Sequence, residues 1–403
     1  MGVLVFGAGR GRASAWVAAA VAGGVLLAGC SSGGSGGNSD DTQAAGNSKP
    51  TQAVATPAAH IEVLPANGAA GARPDRPVTV KVTGGTLTQV TLTGADGSAI
   101  PGKLSADGLT WTSSGSLFPA MRYTVSASAK NKDDKAATTS SAFTTLKPKK
   151  TVYTTVTPGD GWTVGVGMPV VVTFSKAVTN RDAALRGLKV TSTPAVEGGW
   201  RWFSSQQVQW RPKQYWPSGT KVTVTSALRK IEVAPGVWGK STRTTSFQVG
   251  SAMISTVDIK RHTLTVRRNG KVLRVIPVTT GKRGFDTRSG IKVIMSREAS
   301  RRMDAETTGI KKDDPEYYDV KVPWAMRLTN TGEFFHGASW SIASQGRANV
   351  SHGCTGMSPA NAQWLFNQSK VGDVAIFVGS KRRLEWGNGY TAWDMPYDRW
   401  ASG

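Results

Sequence analysis

The sequence predicts a mainly β protein: two tandem antiparallel sandwiches, then a third β-rich unit with a few helices. Three observations carry that reading. Short alternating runs such as Val78-Thr79-Val80-Lys81-Val82 recur from about His60, separated by turn dipeptides such as Asp96-Gly97 and Asp107-Gly108. Landmarks then repeat: Pro77 returns as Pro169, Trp111 as Trp210, Tyr123-Thr124-Val125 as Val222-Thr223-Val224, and Phe143 as Phe247. The offsets of 92, 99, 99 and 104 drift as loop insertions would make them. Finally, 47 Gly and 39% hydrophobic residues in a chain of 403 suit many turns around more than one packed core.

Residues 1–30 carry Arg10 and Arg12, then an apolar run from Ala13 to Gly29, then Cys30. That pattern is an export signal, to be left out of the fold. Leu27-Ala28-Gly29-Cys30 resembles the bacterial lipobox, which implies a lipidated Cys30 at the mature N-terminus. Residues 31–57 are Gly-, Ser-, Thr- and Ala-rich with almost no large apolar groups, and read as a flexible tether. The repeat reads as two immunoglobulin-like domains, 58–148 and 149–250. Neither holds a titratable cluster, so both read as spacers or wall-contact modules.

From Ser251 the texture changes. Met253–Ile259, Leu264–Val266 and Val272–Val278 read as strands, the last two joined by an Asn269-Gly270 hairpin turn. His262 reads as a surface residue. Val320–Leu328 and Glu333–His336 read as neighbouring strands. Ser358 and Pro359 suit the N-cap and first position of a helix running to about Lys370. Val374–Val378 is a buried strand. The third domain therefore spans 251–380. The tail 381–403 carries Trp386, Trp393 and Trp400 and is expected to pack back on the body.

The chemistry concentrates in Glu333–Ser358, 26 positions holding two of the four histidines and one of the two cysteines. A thiol attacks as thiolate, and a free cysteine titrates near ~8.5, so Cys354 needs a partner that takes its proton. His352 is two residues away, points elsewhere in an extended or turn segment, and reads as loop scaffold. His336 ends a strand beside Gly337 and faces Cys354 if its strand pairs in the same sheet. Cys354 is thus cast as nucleophile and His336 as general base. The N–H groups of Gly353 and Cys354, with His352, read as oxyanion donors. A zinc site of His336, His352 and Cys354 lacks a fourth ligand and any CxxC or HExxH pattern. Neither metal nor cofactor is expected, and no disulfide.

His336-Gly337, fourteen residues, then Ser351-His352-Gly353-Cys354 resembles the signature of the L,D-transpeptidase (YkuD-type) catalytic domain. Lipobox, tether, two immunoglobulin-like domains and Trp-rich tail resemble its actinobacterial members. The resemblance implies a peptidoglycan enzyme that takes a tetrapeptide stem as donor and a diamino acid of a neighbouring stem as acceptor. The products are a 3→3 cross-link and free D-Ala. It also implies that the Gly337 carbonyl orients His336 and that Ser351, His352 and Gly353 shape the loop. Tyr318 and Met303 would line the donor pocket, Trp340 would be an aromatic of the flap Arg301–Ser341 over the site, and Asn349 a polar residue at its edge. Carbapenems would acylate Cys354. The family usually carries Asn or Arg where this chain has Gly356. An L,D-carboxypeptidase and a non-catalytic wall-binding lipoprotein are the alternatives. The net charge of +23 suits an anionic membrane face or wall polymer, and no recognition motif points to nucleic acid. The expected place is the outer face of the cell membrane, on a lipid anchor.

Overall fold

A computed structural model describes residues 58–402. The signal segment and tether expected over 1–57, Cys30 among them, lie outside the described residues.

Strands His60–Leu64, Thr79–Thr83, Thr110–Ser113 and Gly102–Leu104 form one four-stranded sheet in that spatial order. Strands Ala70–Ala72, Ala136–Thr145, Arg122–Lys130 and Thr86–Gly94 form a second. The same order returns further on. Thr154–Thr157, Val170–Phe174, Gln207–Pro212 and Gly198–Trp202 make one sheet. Thr163–Val164, Thr242–Val249, Lys221–Ala227 and Leu188–Thr193 make the other. In each set the second strand lies parallel to the last, and the remaining pairings are antiparallel.

The landmarks that repeat in sequence are core residues. Trp111, Tyr123 and Phe143 are buried in the first set, and Trp210, Val222 and Phe247 in the second. Tyr123 carries a hydroxyl into that core, and the N–H of Phe118 satisfies it at 2.7 Å.

The second sandwich does not close on itself. Its core of Val170, Phe174, Trp216 and Val224 takes in Val374, with Ile291, Ile376 and Tyr390 packed against it. Two glycines make this approach possible. Gly165 N donates to Val371 O at 2.8 Å and Gly167 N to Gly372 O at 2.9 Å. A β-carbon on Gly165 would stand 2.2 Å from Asp373 N.

The third unit has two sheets. Lys271–Pro277, Thr263–Arg268, Met253–Asp258, Val374–Val378 and Gly290–Val293 form the five-stranded one. Ser296–Asp304, Asp319–Arg327, Phe334–Gly337 and Thr355–Met357 form the four-stranded one. The Asn269-Gly270 turn has φ of 48° and 82°, the geometry an Asn-Gly hairpin supplies. Val257, Leu264, Ile276, Phe335, Met357, Leu365 and Phe377 fill the space between the sheets. The helix Pro359–Gln368 starts as expected, with Ser358 Oγ accepting from Asn361 N at 3.3 Å, and stops two residues before Lys370.

The tail packs on the second sandwich. Trp393 Nε1 donates to Gly167 O at 2.7 Å and Trp400 Nε1 to Gly199 O at 2.8 Å. The Arg211 guanidinium lies 4.7 Å from the Trp393 ring, 5.3 Å from Tyr397 and 5.1 Å from Trp400. Cation and rings are mutually attractive there, so a buried guanidinium knits the tail to the sheet.

Candidate active site

Two short strands bring the rare residues together. Phe334–Gly337 pairs in parallel with Thr355–Met357, setting His336 opposite Gly356. Cys354 stands just before the second strand, and its side chain lines the same cavity as His336. Gly356 adds no side chain between them, and its backbone exchanges both hydrogen bonds with Thr279 at 2.9 Å. A β-carbon there would sit 3.0 Å from Ala338 Cβ and 3.2 Å from Thr279 Cγ2, so the residue type fits a crowded wall.

His336 is 5% exposed. Its Nδ1–H donates to the Gly337 carbonyl at 2.9 Å. A carbonyl only accepts, so that bond fixes the proton on Nδ1 and leaves the Nε2 lone pair free for a proton from elsewhere. Burial holds the imidazole below its ordinary value, against the opposing pull of the Gly337 bond. Cys354 keeps a partly exposed edge. The protein packed around it pushes the thiol up to about 12, with Glu333 adding to the effect. The Phe334 N–H, Lys292 and Arg327 work against that rise. The thiol donates to the Gly332 carbonyl at 3.4 Å. Nucleophile and base are therefore both neutral at rest.

The loop that presents Cys354 is knotted by its own side chains. Ser351 Oγ donates to Cys354 O at 2.6 Å and accepts from Gly353 N at 3.1 Å. Thr287 Oγ1 donates to Gly353 O at 2.8 Å. Gly353 has φ of +123°, a backbone region that favours glycine. This corrects one expectation: the Gly353 N–H is spent inside the loop on Ser351, not free to face an oxyanion. His352 is scaffold. Its Nε2 meets Glu316 at 2.7 Å, and its ring packs on Phe285 and Tyr318 at 4.6 and 4.9 Å. Lys282 Nζ also holds Glu316, at 2.6 and 2.8 Å.

A cavity of about 340 Å³ opens on the pair. Met303, Tyr318, Trp340, Ser351 and His352 line it with His336 and Cys354. The Trp340 ring stacks 6.0 Å from His336 and is 61% exposed, so it forms an outer wall that ligand contact would cover. Burial raises the Tyr318 hydroxyl above the ordinary phenol value, which keeps it a proton donor at neutral pH.

Three sequence expectations change here. Asn349 does not line the cavity. Its Oδ1 accepts from Thr280 N and Oγ1 at 3.0 and 2.7 Å, and its Nδ2 donates to Ile259 O at 3.1 Å. Those bonds turn the carboxamide inward, where it ties loop to sheet. His262 is half-buried rather than a plain surface residue, its Nδ1 bonded to Asn349 Oδ1 at 2.9 Å. Nor is Arg301–Ser341 one flap. The hairpin arms Ser296–Asp304 and Asp319–Arg327 and the 3₁₀ turn Ser339–Ser344 bearing Trp340 each contribute lining residues, and in the chain the core strand Phe334–Gly337 separates them.

The sequence reading missed the charges behind the thiol. Lys292 is 1% exposed, and its Nζ lies 2.5 Å from Glu333 Oε2 and 3.7 Å from the Phe377 ring centroid. Arg288 Nη1 meets Glu333 Oε1 at 3.1 Å, and Arg288 Nε meets Glu385 Oε2 at 2.5 Å. Burial draws the Lys292 ammonium below the usual lysine value, while Glu333 pulls it back up. The tail takes part: Asn388 Oδ1 accepts from Thr331 N at 3.0 Å, and Asn388 Nδ2 donates to Thr331 Oγ1 at 2.9 Å. That clasp steadies the loop carrying Gly332 and Glu333.

A family model described as L,D-transpeptidase catalytic domain matches residues 252–378, and one described as bacterial Ig domain matches 69–232, across parts of both sandwiches. L,D-transpeptidase 2 of Mycobacterium tuberculosis is 37% identical over 338 residues, 84% of this chain and 83% of the relative. L,D-transpeptidase 5 of the same species is 31% identical over 354 residues, 86% and 77% of the two chains. L,D-transpeptidase 1 of that species is 40% identical over 224 residues, 56% and 84%. Fold and catalytic domain together define an acyltransferase. The chain belongs to the L,D-transpeptidase family, whose members cross-link peptidoglycan through a cysteine thioester.

Proposed function

We propose that this chain forms 3→3 peptidoglycan cross-links from a tetrapeptide donor stem, with Cys354 as nucleophile and His336 as base. The observation that carries the reading is the His336 Nδ1 bond to Gly337 O. It commits the ring to the tautomer whose Nε2 can receive the Cys354 proton within one cavity. As Sγ attacks the carbonyl of the third stem residue, the thiol proton passes to Nε2. The Tyr318 hydroxyl and the Cys354 N–H stand ready for the developing oxyanion. Collapse expels D-Ala, whose amine takes the proton from His336, and leaves a thioester. The side-chain amine of a diamino acid on a second stem then attacks, giving up a proton to His336 and restoring the thiol. Met303 and Trp340 frame the donor, while Ser351, His352 and Gly353 hold the loop. A neutral resting pair suits this sequence, because charge appears only when a substrate is present to receive it.

The test is mass spectrometry of the products from a defined disaccharide-tetrapeptide. The expected product is a dimer lighter than two monomers by one D-Ala. Tripeptide without dimer would instead assign water as the acceptor and a carboxypeptidase activity.

We also infer a lipid anchor from Leu27-Ala28-Gly29-Cys30, with the sandwiches as spacers between membrane and wall and the basic surface drawn to anionic polymer. Cys30→Ser is expected to move the protein from the membrane fraction to the soluble one. Unchanged membrane association would sink the anchor.

A further inference from the structure

A second cavity of about 280 Å³ lies between the Ser296–Arg327 hairpin and the loop Asn330–Phe334. It shares Met303 and Tyr318 with the catalytic cavity. It also touches Gly332, whose carbonyl accepts from the thiol, and Phe334, whose N–H faces the sulfur. The two spaces therefore adjoin at Met303 and Tyr318, and the second reaches two residues that touch the Cys354 sulfur. The second is basic: Arg301, Arg302 and Arg327 line it, with Asp304 as its one carboxylate.

The three arginines are not equivalent. Arg302 is held by Asp319 at 2.7 and 2.5 Å, and Arg301 by Glu298 at 2.6 Å. Arg327 has no carboxylate partner among the described residues. Its Nη1 donates to Thr329 O and Asn330 O at 3.0 and 3.2 Å, leaving Nε and Nη2 without a protein acceptor. Both Arg301 and Arg327 lie over the Phe334 ring, at 5.0 and 4.6 Å. Burial, and then Arg301, hold the Arg327 guanidinium below its ordinary value. Two cations crowd one ring beside the thiol, and Arg327 is offset only from a distance by Glu298, which is already bonded to Arg301.

We propose that this cavity takes a carboxylate of the donor stem, with Arg327 as its ligand and the site's specificity determinant. The proposal rests on the peptide-donor reading above. A planar guanidinium with two free N–H directions matches a carboxylate in bidentate fashion, and the bond is strongest where water is scarce. The donor offers two sources of that chemistry: the C-terminal carboxylate of the leaving residue and the second carboxylate of the diamino acid. Either would neutralise the repulsion between Arg301 and Arg327, so an anionic donor is favoured over its amide.

The experiment follows acylation of Cys354 in the full chain by intact mass, using three matched synthetic tetrapeptides. One is the free acid, one carries a C-terminal carboxamide, and one is amidated on the diamino acid. Wild type is expected to react at least about tenfold more slowly with one of the two amides, mainly through KM, and that donor identifies the carboxylate. Arg327→Gln is expected to treat the free acid as slowly as wild type treats that amide, so discrimination collapses. Arg327→Lys is expected to restore part of it. A purely structural Arg327 would lower Tm and slow all three donors alike. Discrimination that survives in Arg327→Gln overturns the proposal, as does a wild type indifferent to both amides. A wild type acylated by none of the three overturns the donor reading itself, a separate and recognisable failure.

Discussion

Cys354→Ala is expected to form no acyl-enzyme, and His336→Gln to slow its formation by roughly 10²–10⁴-fold, the usual worth of a positioned base. Both follow from the neutral resting pair. Burial pushes the Cys354 thiol up to about 12, so almost no thiolate exists at neutral pH without a base in place. His336 must take that proton, and only the unprotonated ring can. Its folded value lies below the ordinary histidine value of about 6.5. The acid limb of the acylation rate should therefore fall below that pH: activity persists as pH drops through about 6.5 and is lost only when the buried ring protonates. No rise is expected on the alkaline side near ~8.5, where a free thiol would ionise. The measurement is the single-turnover acylation rate against pH, for wild type and His336→Gln. A wild-type limb centred near ~8.5 would show that Cys354 ionises on its own, and the division of labour between the two residues would be wrong.

Glu333→Gln is expected to lower stability by about 3–5 kcal/mol, the cost of stripping the counter-charge from the buried Lys292 ammonium. Lys292 has no other carboxylate partner among the described residues, whereas Arg288 keeps Glu385 as a second one. Lys292→Met should cost less, since Arg288 still holds Glu333 and methionine fills the space against the Phe377 ring. The order of the two Tm values is the test. If Lys292→Met proved the more damaging, Glu333 would not be the hub of the cluster. The same pair predicts a functional split. Glu333 raises the thiol and Lys292 lowers it, so Lys292→Met should weaken acylation in protein that remains folded.

Much of the fold and most of the site were legible in the sequence because they rest on rare residues or strict periods. Trp111 and Trp210 marked equivalent strands because each fills the same place in a core. Cys354 and His336 stood out as scarce groups with a need for each other. The Lys292–Glu333 pair did not, for a physical reason. A lysine flanked by Ile291 and Val293 reads as the solvent-facing member of an alternating strand. Here both faces of the strand are covered: Ile291 meets the sandwich core, and Lys292 looks into the catalytic unit. Charges also carry no periodic signature across the 41 positions that separate Lys292 from Glu333. Asn349 was assigned by resemblance to the cavity edge, but linear position does not say which way a carboxamide turns. Arg327 was invisible for the same reason, since an arginine at a strand end usually reaches water.

The joint at Gly165, Gly167 and Gly372 bears on how such chains can be recombined. The first sandwich keeps an apolar core of its own, from Ala59 to Phe143, and could be exchanged for a foreign sandwich at the Leu146–Lys149 connection. The second could not. A donor bringing any side chain to Gly165 would drive a wedge into Asp373, and Val374 would lose the wall it packs on. In a chimera, then, the smallest heritable piece that still carries the chemistry begins at about residue 150, not at 251.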